Sequence, residues 1–393
     1  MAGIYIHIPF CASRCIYCAF YSTTSLDLRQ RYVDAVCREV LMSCANAHDI
    51  NTIYLGGGTP SQLTMAQLRQ IFDTIYKYNY VSPDVEVTIE VNPDDVSVEF
   101  AAVLQHLPVN RVSMGAQTFD DQRLRWIHRR HTAQQVSEAI GYLRQAGIRN
   151  ISIDLMYGFP GETLTDWERD IDAALALGVE HLSAYCLSIE EGTALHRMGM
   201  KGADEETERQ MYYRLKDRLE TAGFEHYEIS NFARISNNSP IPTPFRSRHN
   251  SAYWTGEPYL GLGAAAHSFD GHTRSWNIAD IRQYIDAMER GERCSESEPI
   301  AGDTAYNDML TTALRTREGL DLSRLTPAQR DYCLKAAQRF IDAGLLNVTS
   351  GSGYFVSSNS HDTKYPDPDV THLTLTREGL FVSDMIMAEL MKV

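Results

Sequence analysis

IYIHIPFCASRCIYCAF, residues 4–20, joins two patterns that belong to different parts of a fold. The opening IYIHIP alternates apolar residues as a strand does. The loop that follows carries Cys11, Cys15 and Cys18 in a C-x3-C-x2-C spacing, with Tyr17 before the third. Three thiolates fall within eight residues, and Phe20 stands where a fourth might follow. In parallel α/β folds, chemistry collects in the loops at the C-terminal ends of strands. A cysteine loop directly after a strand therefore raises the question of whether strand, loop and helix recur along the chain.

They do. A helical stretch near 28–45 is followed by NTIYLGGG and TMAQLRQIFDTIYKY, then by VEVTIEVNP and SVEFAAVLQHL. RVSMGAQ leads to DDQRLRWIH and AQQVSEAIGYLRQAG. NISIDLMYGFPG leads to TLTDWERDIDAALALG, and HLSAYCLSIEEG to DEETERQMYYRLKDRLETAG. That makes six βα units in about 223 residues, the signature of a parallel sheet covered by helices. A partial (β/α)6 barrel and a doubly wound open sheet both fit, and periodicity does not choose between them.

Residues 1–235 form this core. The Ser-, Asn- and Pro-rich ISNNSPIPTPFRSRHNS opens a connecting region over 236–300 that holds one amphipathic helix, IADIRQYIDAMERG. Residues 301–393 read as a small C-terminal α+β domain, with a winged-helix form as one reading. Its helices are expected near 304–316, 326–343 and 376–392, with a Gly/Ser-rich hairpin-like stretch before the last.

The chain has 393 residues and a net charge of −15 without a basic block, which argues against a nucleic-acid surface. No run approaches the ~20 apolar residues of a membrane span, and no secretory signal is evident. The other cysteines, Cys37, Cys44, Cys186, Cys294 and Cys333, are scattered. The expected setting is a reducing cytoplasm, where clustered cysteines serve metals or catalysis more than disulfides.

The unusual polar residues fall strand after strand near one mouth. GGGTP, 56–60, follows strand two. Glu90 lies inside strand three, Gln117 ends strand four, and Asp154 lies in strand five before GFPGET. Ser183, Tyr185 and Ser188 are assigned to strand six. Each has a plainer reading. The cysteines could form part of a zinc site with His7 as fourth ligand, although structural zinc takes four closed ligands. GGGTP could be a tight turn, and it lacks the G-K-[ST] of a Walker loop. Glu90 could be a buried acid paired with Arg129. Three thiolates also suit an iron–sulfur cluster with one iron left for a non-protein ligand.

Taken together, C-x3-C-x-aromatic-C and GGGTP resemble the radical S-adenosylmethionine superfamily. IYIHIPFC, YLGGGTPS, IEVNP, SMGAQTFDD, DLMYGFPGET, HNSAYW and YLGLGAAAHS are similar to one branch of it. That branch contains oxygen-independent coproporphyrinogen III dehydrogenase and the HemW-type haem chaperones. The resemblance implies a partial (β/α)6 barrel and a [4Fe–4S] cluster on Cys11, Cys15 and Cys18, its fourth iron taken by S-adenosylmethionine. It implies cofactor contacts from Tyr5, Tyr17, Gly58, Thr59, Glu90, Gln117, Arg129 and Asp154. Such sites break a carbon–sulfur bond with one electron to give a 5′-deoxyadenosyl radical, so a reductant is implied if the cofactor is cleaved.

Two features separate the branches. The dehydrogenase carries a further cysteine where this chain has Phe20, and a substantial segment before its first strand, whereas here Tyr5 lies four residues after Met1. Both match the chaperone, as does H-N-x-x-Y-W, present as HNSAYW at 249–254. The leading expectation is a haem chaperone that binds haem and transfers it to an unidentified acceptor protein. His249 would be the axial ligand, beside Tyr253 and Trp254, with His267 as a lesser candidate. His128 and His131 are read as structural neighbours of Arg129. The alternative is radical decarboxylation of coproporphyrinogen III in porphyrin biosynthesis. A third reading is a radical enzyme for another substrate, and whether the chain turns over any substrate stays open.

Overall fold

The computed structural model describes residues 2–43, 49–236, 243–350 and 371–392. Cys44 and most of the Gly/Ser-rich stretch lie outside them. The six expected units run β1 (Ala2–Ile8), α1 (Arg29–Ser43), β2 (Ile50–Gly57), α2 (Met65–Tyr78), β3 (Val81–Val91), α3 (Val98–Leu104), β4 (Arg111–Gln117), α4 (Asp121–Trp126) and α5 (Ala133–Gln145). They continue through β5 (Asn150–Tyr157), α6 (Leu164–Ala176), β6 (His181–Cys186), α7 (Ala194–Arg197) and α8 (Glu205–Thr221). The strands lie in the order 1-2-3-4-5-6, and each neighbouring pair is parallel. A doubly wound sheet reverses its order at a switch point, and this one does not. With right-handed crossovers, unreversed order puts every covering helix on the same face.

That arrangement explains the alternation in the strands. Ile4, Ile6, Ile8, Ile53, Leu55, Val87, Ile89, Val112, Met114, Ile151, Ile153 and Leu182 share one core with Val33, Ile71, Leu143, Ile171 and Leu215 from the helices. The residues between them face the other way and are polar: Tyr5 and His7, Thr52 and Tyr54, Glu86 and Glu90, Arg111 and Ser113, Ser152 and Asp154, His181 and Ser183. Strands of a parallel sheet covered on both faces read as nearly continuous apolar runs. Here the covering helices lie on the outer face, and the polar groups of the inner face pair with one another or with residues 247–253.

The hairpin of β7 (Phe224–Glu228) and β8 (Asn231–Arg234) extends the sheet antiparallel beyond β6. After α9 (Arg248–Thr255), β9 (Tyr259–Leu262) joins the other side, parallel to β1. Then β10 (His267–Phe269), β11 (Thr273–Asn277), α10 (Ile281–Arg290) and β12 (Ser295–Pro299) complete twelve strands in the order 12-11-10-9-1-2-3-4-5-6-8-7. Leu262, Ala264, Tyr284, Ile285 and Met288 belong to the same core as β1 to β6. A second core forms among Tyr306, Leu310, Leu320, Phe340, Leu373 and Ile386. It joins α11 (Gly302–Ala313), β13 (Leu320–Asp321), α12 (Pro327–Asp342), β14 (Leu346–Ser350), β15 (Thr371–Leu375) and α14 (Ser383–Leu390), while Leu380 and Phe381 of α13 (Arg377–Phe381) pack on the first core. Its sheet is antiparallel in the order 13-15-14. The single helix expected over 376–392 is two short ones.

The outer edge strand β12 is exposed throughout and carries Glu296, Glu298 and Pro299. At the opposite edge, β7 is met by residues 315–317. Ile229 N–H donates to the Arg315 carbonyl, Arg317 N–H donates to that of Tyr227, and the Arg315 guanidinium pairs with the buried Glu228 carboxylate at 2.7 Å.

Two α1 side chains tie the added strands to β1. The Tyr32 hydroxyl donates to the His7 carbonyl at 2.7 Å and accepts from Ala264 N–H at 3.0 Å. The Glu39 carboxylate, 8% exposed, accepts from Gly263 N–H, the Asn277 amide and the Tyr284 hydroxyl. Removing it strands three buried donors. Glu39→Ala is expected to cost about 3 kcal/mol in urea denaturation and to expose residues 259–290 to limited proteolysis. Glu39→Gln, which keeps one acceptor, should lose less.

Candidate functional site

The cysteine loop is held at both its base and its tip. At the base, Cys11 N–H donates to the Thr23 carbonyl and Thr23 N–H to that of Pro9, while Phe10 is buried edge-on against Tyr32. At the tip, Ile16 enters a small cluster with Ile127, Met156, Phe159 and Leu187 at the ends of the fourth to sixth units. Ile16 N–H donates to the Ile127 carbonyl, and Leu195 N–H to that of Ile16. Cys11, Cys15 and Cys18 are thereby left half-buried and free of disulfides. Among the described residues, no three His, Cys, Asp or Glu side chains are grouped to hold one metal ion. A multi-iron cluster asks less, since each thiolate takes its own iron. Burial holds the Cys11 and Cys18 thiols above their ordinary range, opposed at Cys11 by the Thr59 hydroxyl. Metal coordination reverses that preference for the thiol.

A chain of side chains leads away from Cys11. The Thr59 hydroxyl faces its sulfur at 3.7 Å and accepts from the Asn92 amide at 3.1 Å. The Asn92 carbonyl accepts from the Arg129 guanidinium at 2.5 Å. Arg129 also interacts with Tyr17, which returns the chain to the cysteine loop. A methyl at Gly115 would meet Arg129 Nη2 at 2.6 Å and Gln117 Nε2 at 2.8 Å, so both side chains lie over that glycine. Gln117 holds φ at 69°, left-handed geometry that a non-glycine residue adopts at a cost. The buried Nε of Arg129 has no hydrogen-bond partner among the described residues. His131 is structural, its Nε2 donating to the Ala116 carbonyl at 3.1 Å, while His128 is exposed.

The three glycines of GGGTP make room for protein. A Cβ on Gly56 would meet Glu90 and Tyr54, one on Gly57 would meet the His7 ring, and one on Gly58 would lie 2.7 Å from the Pro9 carbonyl carbon. Gly58 N–H donates to the Ile8 carbonyl, stitching this loop to the start of the cysteine loop. Glu90 does not pair with Arg129. Its carboxylate accepts from the Tyr54 hydroxyl at 2.8 Å and Gly57 N–H at 3.1 Å, and burial raises its pKa to about 7. Asp154, also raised by burial, is reached by the Ser113 hydroxyl at 3.4 Å. Ser188 lies beyond β6 and bonds Glu190 instead of lining the strand. His7 is not free as a fourth metal ligand. Its Nε2 donates to the Tyr21 carbonyl and its Nδ1 accepts from Tyr5.

HNSAYW forms most of α9, and Ser247 caps that helix. Arg248 and His249 N–H donate to Glu86, an anion placed where a helix N-terminus favours one. His249 is 1% exposed. Its Nδ1 bonds Thr52 and its Nε2 bonds Tyr253, each at 2.8 Å, and its ring stacks on Tyr54. Burial holds it neutral, with a pKa lowered to about 3. In this conformation neither nitrogen is offered to a ligand, and coordinating iron requires breaking the Tyr253 bond.

Above Tyr253 opens a cavity of about 650 Å³, bordered by Tyr5, Phe20, Trp254, Tyr259, His267 and Met309 among others. The site therefore brings Tyr5, Tyr17, Thr59, Gln117 and Arg129 to the cysteine loop, and sets His249 beneath the cavity floor. Asn92 was missed. IEVNP marked a strand end, yet an Asn before Pro reads as a turn residue, and only its two partners reveal the link. The added strands that carry His267 were also missed, being three to five residues long.

Residues 5–174 match the model of the radical SAM superfamily. The chain is 36% identical to heme chaperone HemW of Bacillus subtilis over 82% of this chain and 86% of that protein. It is 33% identical to heme chaperone HemW of Mycobacterium tuberculosis over 88% of each. Among solved structures, coproporphyrinogen III oxidase (HemN) of Escherichia coli, a radical SAM enzyme, superposes with a TM-score of 0.81 at 19% identity, covering 100% of this chain and 90% of that one. At that identity the likeness is one of fold, and it agrees with the unreversed strand order.

The Glu90 carboxyl sets a pH dependence. Its folded pKa of about 7 exceeds the unfolded value of about 4.3. The native state therefore keeps the proton longer, and stability falls as pH rises from about 4.3 to about 7. Between those limits, wild type is expected to lose on the order of 3 kcal/mol relative to Glu90→Gln. Urea midpoints of the two proteins across pH 4–8 measure it, and the difference cancels the other buried carboxyls.

Proposed function

The chain belongs to the HemW-type haem chaperone family within the radical S-adenosylmethionine superfamily, and on that premise we propose that it binds haem and hands it to an acceptor protein. The observation that carries the reading is the aromatic cavity directly beside the cysteine loop. Phe20 from that loop, 68% exposed, and Tyr253 and Trp254 from HNSAYW all border it. A flat apolar macrocycle suits such walls. The axial ligand comes from this region, from His249 once Tyr253 releases it or from His267.

Cys11, Cys15 and Cys18 would hold a [4Fe–4S] cluster, with S-adenosylmethionine completing it. The residues fit. Three thiols share one anchored loop, and Arg129 keeps a buried N–H for a carboxylate. When bound, the pair supplies one-electron cleavage of a carbon–sulfur bond, given a reductant. This chain's part is to orient and to enclose. Thr59 and Asn92 fix the Cys11 side of the loop, Tyr17 and Arg129 the other, and Tyr5, Gln117, Glu90 and Asp154 form the polar floor, with Gly58 keeping the glycine loop against it. Glu90, near neutrality in its own titration, accepts hydrogen bonds or holds a proton. Among the described residues no helix is long and apolar enough to cross a membrane, and we assign the protein to the cytoplasm, with no nucleic-acid partner.

A second reading, coproporphyrinogen III decarboxylation, is favoured by the shared fold. Anaerobic turnover separates the two. The expected outcome is saturable haem binding in a Soret titration of the cluster-loaded protein, with no vinyl product from coproporphyrinogen III. Product formation at a rate typical of enzymes, about 1 s⁻¹ or more, would overturn the chaperone reading. Cys15→Ala should abolish the cluster's visible absorption after anaerobic reconstitution. Asn92→Ala should keep the cluster but weaken S-adenosylmethionine binding about tenfold, measured by equilibrium dialysis.

A further inference from the structure

The geometry points to His267 as the side chain that ligates haem iron, with the macrocycle lying in the cavity between β9–β11, the end of α9 and α11. This rests on the haem reading above and names its site.

Two histidines border the cavity, His7 and His267. Both nitrogens of His7 are committed, to Tyr5 and to Tyr21. His267 is exposed, and among the described residues neither of its ring nitrogens makes a hydrogen bond. Its ring stacks at 5.9 Å and 27° on Trp276, its cross-strand partner. The residue sits on a paired strand, and β9 packs so close that a Cβ at Gly261 would lie 1.9 Å from the His267 carbonyl oxygen. Strand placement of this kind fixes a ligand better than a loop does. Partial desolvation and the Arg274 charge hold the imidazole below its usual pKa, which favours the neutral form that binds metal. His249, by contrast, lies under the floor with both nitrogens bonded.

The rest of the cavity suits an iron porphyrin. Phe20, Tyr259 and Phe269 supply apolar faces, and the Trp254 indole N–H is buried without a described acceptor. A porphyrin of this type also carries two propionates. Arg274 is spent on Glu298 and Asp308. Arg324 is exposed and makes only a 3.4 Å bond to the Thr255 carbonyl, with no ion pair among the described residues. It is the cation available to a propionate at the rim.

Ferric haem is titrated into the full-length, cluster-loaded wild type, His267→Ala, His249→Gln and Arg324→Ala, following the Soret band, with the thermal midpoint of each as a check on folding. His267→Ala should weaken binding tenfold or more and lose the histidine-ligated spectrum, which free imidazole should restore. His249→Gln should keep the histidine-ligated spectrum. Arg324→Ala should weaken binding about threefold to tenfold without changing the spectrum. Wild-type behaviour in His267→Ala, or loss of the spectrum in His249→Gln alone, overturns this assignment and leaves the chaperone reading standing. Absence of a saturable site in wild type overturns both.

Discussion

Ionisable groups buried on the inner face of the parallel sheet impose the constraint that the surrounding structure answers. Arg111 is almost wholly buried there, close enough to act electrostatically on Glu90, Asp154, His181 and His249. Taking such groups out of water is costly unless each finds a partner. The partners are hydroxyls and imidazoles in short chains. Ser152 bonds His181, His181 bonds Tyr227, and the Tyr227 hydroxyl accepts from Ser247 N–H. Thr52, His249 and Tyr253 form a parallel chain. Burial makes the carboxyls weaker acids and keeps the imidazoles neutral, while Arg111 keeps buried Nε and Nη1 N–H groups that have no hydrogen-bond partner among the described residues. Unpaired donors such as the Arg129 Nε remain near the cysteine loop, where a ligand can reach them.

The same constraint decides what could be read from the chain. The alternation of strands and helices, the six units and the thiol loop were all local patterns, and local patterns survive in a sequence. Strand order was not legible, because it depends on pairings between distant segments. Nor were the partners of single residues. Arg129 was one partner open to Glu90, whose hydrogen bonds come instead from Tyr54 and Gly57. The Nδ1 partner of His249, Thr52, lies 197 residues away, a pairing that no local pattern shows. His267 looked minor beside GAAA, and only the strand pairing brings it to the cavity. Four-residue β9 and three-residue β10 are too short for their periodicity to register.

The C-terminal segment acts in two places at once. Residues 315–317 continue the hydrogen bonding of the β7 edge, and α11 supplies one wall of the aromatic cavity. Its attachment runs through Glu228 and Glu225, buried carboxylates that meet Arg315, Arg317 and Arg246. The cavity is therefore built by parts of the chain that fold around two separate cores, and its shape depends on the seam between them. Glycine packing at GGGTP works in the opposite sense, locking the cysteine loop to β1 and β2 without help from the second core.

An open sheet ends in two ladders of backbone groups, and each invites another strand. One is closed by residues 315–317. The other, β12, has no further strand beside it among the described residues, and its sequence SESEP answers the invitation with charge and with a proline that lacks an N–H. A second copy arriving edge to edge would set Glu296 and Glu298 against acids of its own kind, a juxtaposition that disfavours pairing. An open edge on a twelve-stranded sheet would otherwise be a template for fibrous aggregation, most acutely while the C-terminal segment is still being synthesised and β7 is uncovered. The acidic edge protects the finished molecule; the β7 edge becomes safe only when the last quarter of the chain arrives.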